Sequence, residues 1–383
     1  MKKTIVLTSL LLLIGCNSGR QSRSSNKMVN STSSDVVDTN NSDASNTENN
    51  AIPSVLSEAT YPVLEELDIT FAEGLAYNGT STAPVAVPVK LDLYYPDTTS
   101  TNRPVFMFIH GGGFKGGTKT KPEIVEMAKY YASRGWVFAS IDYRTVEELC
   151  DAENIPQCES KIRDMSPEEV VAFYDGIAPQ EWVENAIEGS DNIFNLQQAI
   201  AMYTAQRDAK AALRWIVANS STYSINVDYI AVGGASAGAI TTVALGISNP
   251  EDFRDELSMD QDSTLATTNL DESYTVKSLI YFWGSKIKLD VFELVYGLNR
   301  FDNSDPELFM AHGTAMDRVT PYEGSVELQG IYESLGIYSQ LATILRPNGT
   351  PAGHGAWDGQ LDGKNLSELT FDFLVDRQDL NLQ

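Results

Sequence analysis

Ser236 stands in Gly234-Ala235-Ser236-Ala237-Gly238, a Gly-x-Ser-x-Gly pattern that follows an apolar run and precedes a stretch of small residues. In that context the pattern is a sharp strand-to-helix turn that pushes a serine hydroxyl into a cleft. Its strained backbone leaves no room for a Cβ on either side of the serine. A serine hydroxyl is a poor nucleophile at neutral pH, so it needs an adjacent general base, and the base needs an orienting acid. The chain has three histidines, His110, His312 and His354. His354 lies in the loop after the last expected strand and is the candidate base. His312, at the end of an expected strand, is read as a site-shaping residue. The candidate acid is Asp317, which follows a strand closely in a glycine-containing turn. Asp290, Asp302, Asp305 and Glu323 also fall between serine and histidine. Asp358 follows the histidine and is expected to open a helix as its cap.

An attacked carbonyl becomes an oxyanion, and backbone N–H groups must point at it. The run His110-Gly111-Gly112-Gly113-Phe114 supplies backbone free to turn its amides into a pocket. Ala237, next after the serine, is expected to add another N–H. No two histidines have helical ligand spacing and no His-Glu-x-x-His occurs, so neither metal nor cofactor is expected.

These residues must be held by a sheet. Runs at 65–71 and 87–95 read as an early strand pair, the second alternating as Val87, Val89, Leu91 and Leu93. The continuous apolar runs 104–109 and 136–141 suit strands buried on both faces. Further strands are expected at 228–233, 278–283, 308–312 and 340–345. Helices are expected at 122–133, 192–219, 237–246, 322–335 and 361–375. Alternating strand and helix predicts an α/β class with a mostly parallel, helix-covered sheet, made mixed by the early pair. Two stretches, about 145–191 and 249–275, read as insertions, the first with short helices such as 167–174. Both proposed partners of Ser236 then fall beyond carboxyl ends of strands, the edge where open α/β sheets bind ligands. Phe114, Trp283 and Trp357 are candidates for the pocket lining, although aromatics near buried strands more often belong to the core.

The chain carries a formal net charge of −25, which argues against nucleic-acid binding. Lys2 and Lys3 precede a short apolar run that is too short for a permanent span and ends Leu13-Ile14-Gly15-Cys16. This resembles a bacterial lipobox, so 1–16 reads as a lipoprotein signal with Cys16 as the lipidated residue. An ordinary secretory signal is the alternative. Either implies export, and lipidation implies anchoring to the periplasmic or cell-surface face of a bacterial membrane. Residues 17–50, rich in Ser, Asn and Asp, read as a disordered tether, leaving 51–383 as the folded domain. In an oxidising compartment Cys150 and Cys158 form an even pair close enough to bridge, with two free buried thiols as the alternative.

These motifs resemble the α/β-hydrolase fold, in the His-Gly-Gly-Gly esterase/lipase group near hormone-sensitive-lipase-like and bacterial feruloyl-esterase-like carboxylesterases. Leu91-Asp92-Leu93-Tyr94-Tyr95-Pro96 and the stretch from Arg207-Asp208 to Arg214-Trp215 carry the likeness too. The resemblance implies an esterase acting on a small-molecule ester, with Ser236, Asp317 and His354 as triad. Gly112, Gly113 and Ala237 would be the oxyanion amides, and Asp208 and Arg214 would be structural. The chain departs from the group at Ala235, where many relatives carry a polar residue, and in both insertions, which leave the lid and substrate class open. A serine peptidase of prolyl-peptidase type and a non-catalytic surface binding protein on the same fold are the other readings.

Overall fold

The first two strands of the main sheet, β1 (Val63–Ala76) and β2 (Val85–Pro96), pair antiparallel. The computed structural model describes residues 51–77, 83–150, 155–297 and 300–383. The expected signal, Cys16 and the tether 17–50 lie outside them. After the early pair come β3 (Arg103–Ile109), β4 (Val137–Ile141), β5 (Ile225–Ala235), β6 (Val276–Phe282), β7 (Glu307–His312) and β8 (Ser339–Thr343). The sheet order is β1-β2-β4-β3-β5-β6-β7-β8. β2 runs antiparallel to both neighbours, and every other pairing is parallel.

The sheet is covered by α1 (Pro122–Ala132), α2 (Ile193–Ala218), α3 (Ala237–Ile247), α4 (Tyr322–Leu335) and α5 (Leu366–Arg377). Every residue of β3 is buried. Phe106 and Phe108 share one cluster with Ile124 and Met127 of α1 and Phe371 and Leu374 of α5. Val105, Met107 and Ile109 share the other with Ile200 of α2, Val243 of α3 and Leu328 of α4. Alternation of side chains across the strand makes both faces apolar, as a strand roofed on both sides requires.

Two terminal expectations are corrected. The last helix begins at Leu366, not near 361. Gln360–Leu361 instead pairs antiparallel with Lys364–Asn365 across Asp362-Gly363, both at positive φ. An Asp-Gly pair of this kind turns a hairpin, and Asn365 with Glu368 then forms a capping box that fixes the helix start. Asp358 therefore caps no helix and pairs with Arg346 at 3.1 Å.

The first insertion folds into the helices Val146–Cys150, Ile155–Arg163, Pro167–Phe173 and Gln180–Gly189. Cys150 and Cys158 are joined by a disulfide. The second is strapped to α2 by buried cations. Arg207 reaches Asp262 at 2.5 Å, Lys210 donates to the carbonyl of Asp252, and Arg214 to that of Thr268. Asp208 meets Arg144 in a bidentate pair, with Nη2 to Oδ1 at 2.7 Å and Nε to Oδ2 at 2.9 Å.

Strand register brings the site loops to one edge. Ile109 stands beside Gly234, Ala235 beside Phe282, Phe282 beside Ala311, and His312 beside Thr343. The glycine-rich run, the serine turn, the Asp317 turn and the His354 loop all leave the sheet at that edge.

Candidate active site

Ser236 is the N-cap of α3, at φ 55° and ψ −116°. Such a conformation in a non-glycine residue costs about 1–3 kcal/mol. Burial of one or two neighbours such as Ile240 and Val243, each worth about 1.5–3 kcal/mol, offsets it. The Ser236 N–H donates to Phe282 O at 2.8 Å and ties the turn to β6. A Cβ on Gly234 would strike the backbone of Gly238, and one on Gly238 the carbonyl of Ile109. The flanking glycines are thus required by close approach. The N–H of Ala237, in the first turn of α3, has no acceptor within the helix.

Asp317 follows β7 and its carboxylate is almost fully buried. Its Oδ1 accepts from the N–H groups of Val319 (2.8 Å) and Thr320 (3.1 Å), and its Oδ2 from Thr320 Oγ1 (2.8 Å). Burial pushes the carboxyl up, but these bonds and the neighbouring His354 outweigh it and hold the group below the usual carboxylate value. His354 Nδ1 lies 2.9 Å from Asp317 Oδ2 and 2.8 Å from Thr320 Oγ1. The hydroxyl has one hydrogen, and it goes to Asp317. Nδ1 must therefore carry the ring proton, which assigns the tautomer and leaves the lone pair on Nε2.

Among the acids left open by the sequence, Asp317 is the one that meets His354. Asp290 pairs with Lys286 at 2.9 Å, and Asp302 accepts from Ser304. Asp305 is pushed up to about 7 by burial. His312 is fully buried, its Nδ1 2.7 Å from Ser325 Oγ and its Nε2 3.8 Å from Asp317 Oδ2. Burial lowers its pKa and keeps the ring neutral. Thr320 was not singled out from the sequence. The signal was Asp317-Arg318-Val319-Thr320, a carboxylate three residues before a hydroxyl, the spacing of a side chain that caps its own turn.

The glycine-rich run is held by its carbonyls. Gly111 O accepts from His110 Nδ1 (2.7 Å) and Gly112 O from the Lys115 N–H (3.0 Å). Gly113 O accepts from Gln198 Nε2 (2.5 Å), Phe114 O from the Val146 N–H (2.9 Å) and Lys115 O from the Glu147 N–H (3.0 Å). A peptide is planar, so fixing each carbonyl fixes the N–H on its opposite side. Gly112 and Gly113 sit at φ 126° and 63°, and Gly113 lies in the left-handed region that favours glycine. His110 stacks on Tyr143, with ring centres 4.4 Å apart. Burial lowers its pKa to about 4, so it is neutral and suited to its role as a backbone donor.

A cleft of about 670 Å³ exposes Gly112, Gly113, Ser236 and His354 together. Trp283 and Trp357 form an aromatic wall, edge to face at 5.3 Å, and Lys121 and Glu123 stand on the polar side. Phe114 does not line it and packs near Tyr143 instead. The sequence left the insertions as open candidates for a lid. Among the described residues, none of those lining the cleft comes from 145–191 or 249–275. Among the described residues, the first insertion meets the site through its bonds to the glycine-rich run.

A family described as BD-FAE matches residues 91–165 and 194–289, which contain the glycine-rich run, the Arg144–Asp208 pair and the serine turn. The chain has the α/β-hydrolase fold. A truncated carbohydrate esterase from gut microbiota resembles this chain at 17% identity and a TM-score of 0.48, over 85% of this chain and 99% of that one. A butyrate-bound esterase of Thermogutta terrifontis resembles it at 17% identity and 0.49, over 80% and 94%. A bifunctional GH43-CE protein of Bacteroides eggerthii does so at 17% and 0.49, over 82% and 38%. No curated protein matches the sequence.

Proposed function

We propose that this α/β-hydrolase is a carboxylic ester hydrolase that works through an acyl-enzyme on Ser236. One observation carries the reading: His354 Nδ1 meets the buried Asp317 carboxylate at 2.9 Å, and His354 and Ser236 open onto one cleft. The match to BD-FAE supports it. His354 Nε2 takes the proton as Ser236 Oγ attacks the ester carbonyl. The C=O π bond becomes an oxyanion that faces the amides of Gly112, Gly113 and Ala237. The intermediate collapses, the C–O bond to the alcohol breaks, and His354 returns the proton to the leaving oxygen. Water, deprotonated by His354, attacks the acyl-enzyme and releases the acid. Asp317 and Thr320 hold the ring in the required tautomer throughout.

The decisive test is Ser236→Ala against p-nitrophenyl acetate and butyrate. Turnover is expected to fall by about 10⁴–10⁶-fold with an unchanged melting curve. A variant that keeps most of its activity would refute the reading. The Lys2-to-Cys16 segment supports export and lipid anchoring at Cys16. Cys16→Ser should shift the protein from the membrane to the soluble fraction of its host, and continued incorporation of labelled fatty acid would overturn the anchor.

A further inference from the structure

We infer that Gln198 is a positioning residue that sets the register of the oxyanion loop. This rests on the ester-hydrolase reading of the same site. Five successive carbonyls, from Gly111 to Lys115, each have a hydrogen-bond donor. Two of those donors, the N–H groups of Val146 and Glu147, are backbone amides at the start of the helix Val146–Cys150. One is an amide within the loop, and one is the ring of His110 at its start. Gln198, from the first half of α2, is a side chain that reaches in from a different element.

It grips the position with the most freedom to lose. The peptide before Gly113 is fixed by the Lys115 N–H on Gly112 O, and the peptide after it by Gln198 on Gly113 O. Between them Gly113 takes a φ of 63°. A glycine held on one side only has many accessible conformations of similar energy. The Lys115 N–H that holds Gly112 O lies beyond Gly113 in the same turn, so releasing Gly113 O loosens the turn that closes this bond and lets the Gly113 N–H drift from the position an oxyanion would occupy. Displacements near 1 Å at such a donor cost up to about 100-fold in rate.

The helix that carries Gln198 is itself anchored beside the disulfide. The neighbouring Gln197 donates from Nε2 to Cys150 Sγ at 2.9 Å, and Cys150 ends the helix whose first amides hold Phe114 O and Lys115 O. The side-chain grip and the backbone grip on the loop thus share one support.

The test uses the full chain with Gln198→Ala and Gln198→Glu, beside wild type and Ser236→Ala. The readouts are kcat, KM and the affinity for an aryl trifluoromethyl ketone. That ketone adds Ser236 Oγ across its carbonyl, passes the serine proton to His354 and leaves an oxyanion in the hole. In Gln198→Ala, kcat and ketone affinity should fall together by about 10- to 100-fold, with KM held near its wild-type value. Gln198→Glu can donate to Gly113 O only while protonated. Its kcat should therefore fall as pH rises through the carboxyl's titration, a feature absent from wild type. A Gln198→Ala enzyme with kcat and ketone affinity within twofold of wild type, or a loss confined to KM, overturns the inference. Activity surviving in Ser236→Ala would instead refute the ester-hydrolase reading, so the two failures are told apart.

Discussion

Two regions of this domain concentrate polar groups, and they are built on opposite plans. Between α2 and the segment 249–275, Arg144, Arg207, Lys210, Asp208 and Asp262 are at most 3% exposed, and each cation meets a carboxylate or a carbonyl. At the carboxyl edge of the sheet, the His354 side chain is 31% exposed and offers a free nitrogen, and Ser236 is held in a strained turn. The first region spends its charges on one another, because a buried charge left unpaired is very costly. The second keeps groups in reserve for a molecule that is not part of the protein. Burial of charge alone therefore does not mark the functional site. Unspent valence on a rigid frame does.

Removing a group from each region should separate the two plans. The largest effect is expected at the cleft. His354→Ala should lower kcat/KM by about 10⁴-fold with the melting temperature nearly unchanged, as read by ester hydrolysis and calorimetry. A loss of stability without a loss of rate would place the histidine in the structural class. Asp208→Ala should do the reverse. It strands the Arg144 guanidinium in a site that is 1% exposed, at a cost of about 3–5 kcal/mol. Its melting temperature should drop by about 5–15 °C. Turnover per folded molecule, counted by titration with an irreversible phosphonate, should stay at the wild-type level. His312 tests the border between regions, because it is sealed like the first and lies 3.8 Å from the acid of the second. His312→Ala should reduce kcat/KM by less than about tenfold. A loss equal to that of His354→Ala would mean that the base was misassigned.

Most of the cleft was legible in the sequence, because its chemistry needs particular residue types at strand ends. Gly234 and Gly238 announced a turn whose backbone approach excludes a Cβ, and the order Ser236, Asp317, His354 left few candidates. The sheet was legible for a related reason: runs such as 104–109 must be apolar on both faces. What was not legible depends on contacts between distant segments. Gln198 meets Gly113 across 85 positions of chain, and no periodicity reports that. The insertions, polar and long, left the lid open. In the second, Asp262 and the carbonyls of Asp252 and Thr268 turned out to answer cations on α2, a pairing set by the fold. The misplaced start of α5 was avoidable, since Asp362-Gly363 and the Asn365–Glu368 box were both in view.

Asp142 gives the smallest predicted effect and tests whether the border of the cleft follows the unspent plan. Its Oδ1 accepts from the Lys119 N–H at 2.7 Å and lies 3.6 Å from His110 Nε2. Burial raises its carboxyl from 3.8 to about 6, against the pull of that N–H and of the Lys119 charge. The folded state therefore binds this proton more tightly than the unfolded chain does. Ionising the group opposes folding, so its contribution to stability declines as pH rises from about 4 to about 6 and stays lost above that. Asparagine keeps an oxygen for the Lys119 N–H and carries no charge. Asp142→Asn should thus match wild type near pH 4 and melt higher at pH 8. With the carboxyl 35% exposed, water screens much of the penalty. A rise of about 1 °C is the expected size. A variant less stable than wild type at pH 8 would show that the Asp142 charge is spent on Lys119 after all, and would move this residue into the class of the ion pairs behind it.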